Sequence, residues 1–178
     1  MRFGRITASI LYEAARCKTP GGYLVERIMG VSKPVETEAM SRGKQLELQV
    51  LQCVEKMRDI EIKNSGILIH KEFSIFRASP DGISSDFVIE IKSPSREKNI
   101  ENYVKHDIIN KKFYFQLQLN MFFSNKKKDL FCVAFPTFEQ DSPIYEITLN
   151  NEELKDIMEL ATVHWKNNIF IELIKINE

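Results

Sequence analysis

The chain has 178 residues, 43% of them hydrophobic and 28% charged, with 25 Lys and Arg against 25 Asp and Glu. That length suits one domain over 1–178, able to bury enough surface to fold without disulfides or a structural metal, and the composition excludes a disordered tail, a collagen-like rod and a mucin-like stalk. Net neutrality argues against an indiscriminate polyanion binder, but the charge is uneven: 1–33 carry six cations against two anions, 95–128 eight against three, and 139–178 three against nine.

The first predicted helix runs over 7–16, with Thr7 as its cap and Ile10, Leu11, Ala14 and Ala15 as its apolar stripe. Pro20-Gly21-Gly22 breaks it, and a short helix follows over 23–29. The strongest helical pattern covers 37–57, where Leu46, Val50, Val54 and Met57 recur at helical spacing. The period then falls to two. Ile60, Ile62, Ile67 and Ile69 predict a hairpin turned by Asn64-Ser65-Gly66, and 73–76 predict a third strand. Ser79-Pro80-Asp81-Gly82 has the composition of a tight turn, and Phe87 to Lys92 reads as a fourth strand. Residues 110–125 read as a helix apolar nearly all round, hence buried on several sides. Strands over 130–135 and 144–149 and a helix starting at Asn150 or Asn151 complete the order. It predicts a mixed α/β fold, a central mixed sheet with helices on both faces.

No apolar run reaches the roughly 18 residues of a membrane-spanning helix, and the first residues lack the apolar core of a secretory leader. Cys17, Cys53 and Cys132 show no paired spacing. They read as free thiols, so the expected setting is an intracellular, reducing compartment (cytoplasm or nucleus), away from membranes.

The residues that can carry chemistry cluster around the fourth strand. Residues two apart in a strand share a face, so Glu90 and Lys92 project together while Ile89 and Ile91 face the other way. Ser84-Ser85-Asp86 lets the chain fold back, bringing Asp81 to Glu90. Two carboxylates, an ammonium and the Ile91 carbonyl at a strand end suit a hard divalent cation such as Mg²⁺. Each fragment also has a plain reading, a turn and a solvated charge pair. The surroundings add weight: Glu47 edges the apolar stripe of the long helix, and Gln116 and Gln118 lie among the aromatics of the buried one, where polar groups need partners.

The ordered set Arg2…Thr7-Ala8-Ser9, Arg42-Gly43-Lys44-Gln45…Glu47, Ser79-Pro80-Asp81-Gly82, Glu90-Ile91-Lys92…Pro94 and Gln116…Gln118 resembles the lambda exonuclease and YqaJ-type viral recombinase family of the PD-(D/E)XK nucleases. The resemblance spans 2 to about 125 and implies a restriction-endonuclease-like core and a metal-dependent DNA exonuclease, acting 5′→3′ on linear duplexes with a 5′-phosphate. Asp81, Glu90 and the Ile91 carbonyl would bind Mg²⁺ (or Mn²⁺), Glu47 a second metal or a metal-bound water. Lys92 would act on the attacking water, and Gln116 would position it. Arg2, Ser9 and Ser79 would take the 5′-phosphate, with Thr7, Gln118, Lys105, Lys111 and Lys112 as further DNA contacts. A ring trimer and a recombination partner protein stay open, as do an endonuclease or nickase and a catalytically silent DNA-binding domain on the same fold.

Overall fold

The computed structural model describes residues 3–31, 38–134 and 144–177. A two-residue strand, β1 (Ile6–Thr7), precedes a single 3-10 turn and helix α1 (Leu11–Arg16). Thr7 makes no capping bond; its hydroxyl lies 3.1 Å from that of Ser9. Helices α2 (Tyr23–Ile28) and α3 (Glu38–Arg58) follow, then short strands β2 (Phe76–Arg77) and β3 (Gly82–Ile83), and the longer β4 (Phe87–Lys92). A small hairpin, β5 (Val104–Lys105) and β6 (Ile108–Ile109), turns on His106 and Asp107, both at positive φ. Helix α4 (Lys111–Phe123) starts where the Asn110 side chain accepts from the Lys112 amide. Strands β7 (Lys128–Val133) and β8 (Ile144–Thr148) lead to α5 (Asn151–His164), a π-helical turn and α6 (Phe170–Asn177). Among the described residues no helix is long and apolar enough to cross a membrane.

The main sheet has the order β3-β4-β7-β8, with β4 and β7 parallel and the outer pairings antiparallel. A parallel pair needs a crossover connection, which α4 supplies. On one face Ile89, Ile91, Leu130 and Cys132 pack under Val50 and Val54 of α3. On the other, Val88, Phe131 and Val133 pack under Leu117 and Met121 of α4. A third cluster joins β1, β2, α1, α2 and α5. This is the mixed sheet with helices on both faces that the sequence pattern predicts.

The hairpin expected over 60–69 is not formed. The Asn64-Ser65-Gly66 turn exists, with the Gly66 amide donating to Asn64 Oδ1 and Gly66 at φ 63°. Its arms, however, pair with other chain: Lys63 bridges Ile83 and Leu68 bridges Ala78. The segment therefore runs antiparallel to the stretch bearing Ser79 to Gly82, whose backbone groups take the hydrogen bonds that the two arms would have exchanged. The third strand also shifts, from 73–76 to Phe76–Arg77, where it pairs in parallel with β1. Met57 lies outside the core at 69% exposure, beyond the helical turns that cover the sheet.

Candidate active site

Strand β4 carries the centre of the site. Val88 and Glu90 are buried on the face covered by α4, as the alternation of side chains requires. Glu90 is 2% exposed, and three donors surround its carboxylate. Its Oε1 accepts from Lys92 Nζ and from Gln116 Nε2, each at 2.5 Å, and its Oε2 accepts from Asn120 Nδ2 at 2.8 Å. Gln116 and Asn120 are four apart on α4, so both reach the same carboxylate.

Asp81 is brought back by the β3–β4 hairpin. Its amide donates to the Ile89 carbonyl, and its Oδ2 accepts from the Ile91 amide at 2.7 Å. The Lys92 carbonyl accepts from Ala134 on the β7 side. Successive residues of a strand turn their backbone groups to opposite edges. The Ile91 carbonyl therefore faces the Asp81 edge. Glu47 of α3 lines a hollow together with Asp81, Lys44 and Asn64. Arg42, on the same helix, donates to the Pro94 carbonyl, tying α3 to the chain just past Lys92.

The electrostatics are those of crowded carboxylates. Burial, and then the neighbouring Glu90 charge, push the Asp81 carboxyl up to about 7. The Glu47 carboxyl is raised for the same two reasons in the same order. Burial by itself would lower the Lys92 ammonium, but Glu90 and Asp81 outweigh it and the net shift is upward. Behind Glu90, on the same face of the sheet, Asp129 is fully buried, and neither of its oxygens has a hydrogen-bond partner among the described residues. Burial and Glu90 raise it well above the ordinary carboxyl range.

One ammonium thus faces several carboxyl groups, a charge imbalance that a divalent cation would relieve. Among the described residues no three His, Cys, Asp or Glu side chains form a complete ligand set. An all-oxygen pair of carboxylates with a backbone carbonyl fits Mg²⁺ or Mn²⁺, which take few protein ligands and fill the rest with water and phosphate.

Other predicted residues fall into two groups. Thr7, Ser9, Ser79 and Gln116 line a narrow cavity of about 50 Å³. A cleft of about 700 Å³ continues from Thr7 and Ser9 past Gln116 to Lys92, and Lys112 lies on its wall. Gln116 thus stands between the hydroxyl-lined cavity and the carboxylate cluster. Gln118 does not join them. It is fully buried and faces away, its Nε2 donating to the Thr148 carbonyl and its Oε1 accepting from the Asn150 amide. Lys105 and Lys111 line a separate hollow beside Tyr12 and His106. Arg2 lies outside the described residues.

Sequence reasoning missed Asn120, Asp129, Arg5 and Arg77. A polar residue four after Gln116 was a usable signal for Asn120. Nothing in the sequence marked Arg77, which is 8% exposed and lines the same narrow cavity.

This fold is shared with exonucleases. The structure superposes on an alkaline exonuclease of Laribacter hongkongensis with a TM-score of 0.81 at 20% identity, covering 99% of this chain and 93% of that one. The same enzyme in complex with dAMP gives 0.78 at 19% identity, with coverages of 98% and 92%. A phage-related exonuclease of Haemophilus somnus 129PT gives 0.71 at 13% identity, with coverages of 98% and 96%. The model of the YqaJ-like viral recombinase domain matches residues 1–127, and the chain belongs to that family. A search of curated proteins found no match.

Proposed function

We propose that this chain is a divalent-metal-dependent DNA exonuclease of the PD-(D/E)XK type that digests linear duplexes 5′→3′ from phosphorylated ends. The observation that carries the reading is the convergence of Asp81, Glu90 and Lys92 at one end of β4, with Gln116 joining them to the hydroxyl-lined cavity. The fold neighbour known with dAMP is an exonuclease that holds a nucleoside monophosphate, and this supports a DNA substrate.

In this reading Asp81, Glu90 and the Ile91 carbonyl hold Mg²⁺ or Mn²⁺, with Glu47 reaching a second ion or its water. The bound cation supplies Lewis-acid stabilisation of the phosphoryl oxygens and an acidified water. Lys92 orients the attacking water and offsets the negative charge that builds on the phosphorus. Gln116 holds Glu90 in place and positions the water. Ser9, Ser79 and Thr7 donate to the terminal phosphate, so the scissile bond lies one nucleotide inward.

The decisive assay is parallel digestion of linear, nicked and closed circular duplexes with Mg²⁺, Mn²⁺, Ca²⁺ or EDTA. Loss of linear DNA alone, with Mg²⁺ or Mn²⁺, is expected; Ca²⁺ supports binding without cleavage. Efficient cutting of closed circles would move the reading to an endonuclease. Full activity in EDTA would remove the metal.

A further inference from the structure

Helices α5 and α6 form one helical run, joined without a break by the π-helical turn at Trp165–Ile169. Its inner side belongs to the core: Leu154, Ile157, Met158, Ala161 and Ile169 are buried in the cluster shared with α1 and α2. The outer side of a surface helix is ordinarily polar. Here Leu160 is 50% exposed, Val163 56%, Phe170 48%, Ile171 45% and Ile174 44%. Single exposed apolar residues are ordinary, whereas a contiguous patch marks a surface that meets another molecule. These side chains do follow one another along the run. A π turn takes one residue more than an α turn, so Ile171, eight after Val163, returns to the same side.

The patch carries its own complement. Exposed Glu159 stands one turn before Val163, and exposed Lys175 one turn after Ile171. Asn167 is the midpoint of both pairs, four residues from Val163 and from Ile171, eight from Glu159 and from Lys175. Two copies laid antiparallel about Asn167 therefore set each Ile171 on the second copy's Val163 and each Lys175 against the second copy's Glu159. A parallel arrangement would set like charges against each other. Within one chain Lys175 pairs with Glu172 at 2.7 Å, an exposed contact that rearranges at little cost. Exposed Glu152, Asp156 and Glu159 make the same face repulsive to nucleic acid.

We propose that the outer face of α5 and α6 is the interface of a two-fold dimer of this chain, its helices antiparallel across an axis at Asn167. A two-fold interface uses one patch twice and must be self-complementary, which an acid at one end, apolar residues between and a lysine at the other satisfy. A ring would need two different faces joined head to tail. None of the five apolar residues lines the narrow cavity, the cleft or the Glu47 hollow, so the dimer does not depend on the exonuclease reading.

The test is the mass of the full chain by sedimentation equilibrium across the micromolar range. Wild type is expected to pass from one chain to two as concentration rises. Ile171→Asp should remain a single chain with unchanged circular dichroism. Met57→Asp, at an exposed apolar residue of α3, is the control and should leave the association unchanged. The charged pair tests the orientation, with no buried group altered. Glu159→Lys places two lysines opposite each other and should weaken association about tenfold or more. Adding Lys175→Glu to it restores opposite charges and should bring the affinity back to within about threefold of wild type.

A wild type that stays a single chain at every concentration overturns the proposal. So does a larger particle, a ring included, whose mass neither Ile171→Asp nor Glu159→Lys changes. If Ile171→Asp fails to fold, the charge pair decides: loss in Glu159→Lys with recovery in the double variant upholds the antiparallel dimer, and loss without recovery overturns it.

Discussion

At the scale of single residues, the site trades stability for charge. Folding raises the Asp81 carboxyl from an ordinary value of 3.8 to about 7. Between those values the unfolded chain has already released a proton that the folded chain still holds. In metal-free protein this group therefore lowers stability progressively as pH rises from about 4 to about 7, and by its full amount above. Asp81→Asn removes that penalty and keeps an oxygen to accept from the Ile91 amide. In EDTA near pH 8 the variant is expected to melt at least about 2–4 °C above wild type, roughly 1 kcal/mol for a chain of this size, with the gap closing toward pH 4. DNA digestion should be lost. Melting curves at several pH values check the first part, and a variant that melts lower at pH 8 contradicts it. Lys92 is the opposite case. Its ammonium is held by Glu90 and lies 5.6 Å from the centre of the Phe113 ring. Lys92→Met should cut turnover by about 10²–10⁴, the range of a group acting on the proton of the reacting water. DNA affinity in Ca²⁺ should change far less; a variant with weak binding and normal turnover would make Lys92 a phosphate contact only.

At the scale of elements, the β3–β4 hairpin is what brings the two carboxylates together, and Gly82 is what lets it pack closely against Ile62 and against Leu51 of α3. A Cβ at that position would collide with the Ile62 Cγ2 methyl and stand 3.1 Å from Leu51 Cδ2. Ile62 is β-branched and stiff, so its methyl gives way poorly. Gly82→Ala should therefore cost about 1–3 kcal/mol in urea unfolding, the usual range for overpacking. Adding Ile62→Ala should make the double variant more stable than the sum of the two single losses, because the residues touch. Strict additivity would place the cost elsewhere. Helix α4 shows the same dependence on geometry from the other side of the sheet. Residues two apart on a helix point in nearly opposite directions. Gln116 therefore meets Glu90 while Gln118 secures the start of α5 through Thr148 and Asn150.

Across the whole molecule, the two basic segments of the sequence meet. The 700 Å³ cleft takes Arg5 and Arg27 from the first and Lys112 from the second, with Lys92 between them, and among the described residues no carboxylate lines it. Arg27 is paired with Glu13 at 2.6 Å, so Arg5 and Lys112 are the stronger candidates for phosphate contact. Replacing either by Gln should weaken binding to all DNA sequences alike and reduce the slope of log affinity against log salt by about 0.9. The Lys126 to Lys128 run serves as the control. Lys126 donates to the Ser85 carbonyl and Lys128 pairs with Glu146, and neither lines the cleft. Its replacement should leave the slope unchanged; a large drop there would place the DNA path on the far end of α4.

What the sequence by itself determined is what local chemistry governs. The alternation along Phe87 to Lys92 set which side chains share the face of Glu90, and the helical spacing of Val50 and Val54 marked the face of α3 that meets the sheet. The order of polar motifs was enough to draw Asp81, Glu90, Lys92, Glu47 and Gln116 into one expectation, because those residue types are costly in apolar surroundings without partners. Only the tertiary structure decided which long-range pairings win. Residues 60–69 had the pattern of a hairpin, but backbone hydrogen bonds are not labelled by sequence, and the neighbouring stretch 78–83 took those of Lys63 and Leu68. Lys105 and Lys111 were indistinguishable from Lys112 until α4 was packed and its N-terminal turn oriented. Arg77 stood just past the strand expected over 73–76, and nothing in the sequence marked it. Its burial, with Nε unpartnered among the described residues, arises from the parallel pairing of β1 with β2, strands almost seventy residues apart in the chain, and no local pattern encodes a contact over that distance.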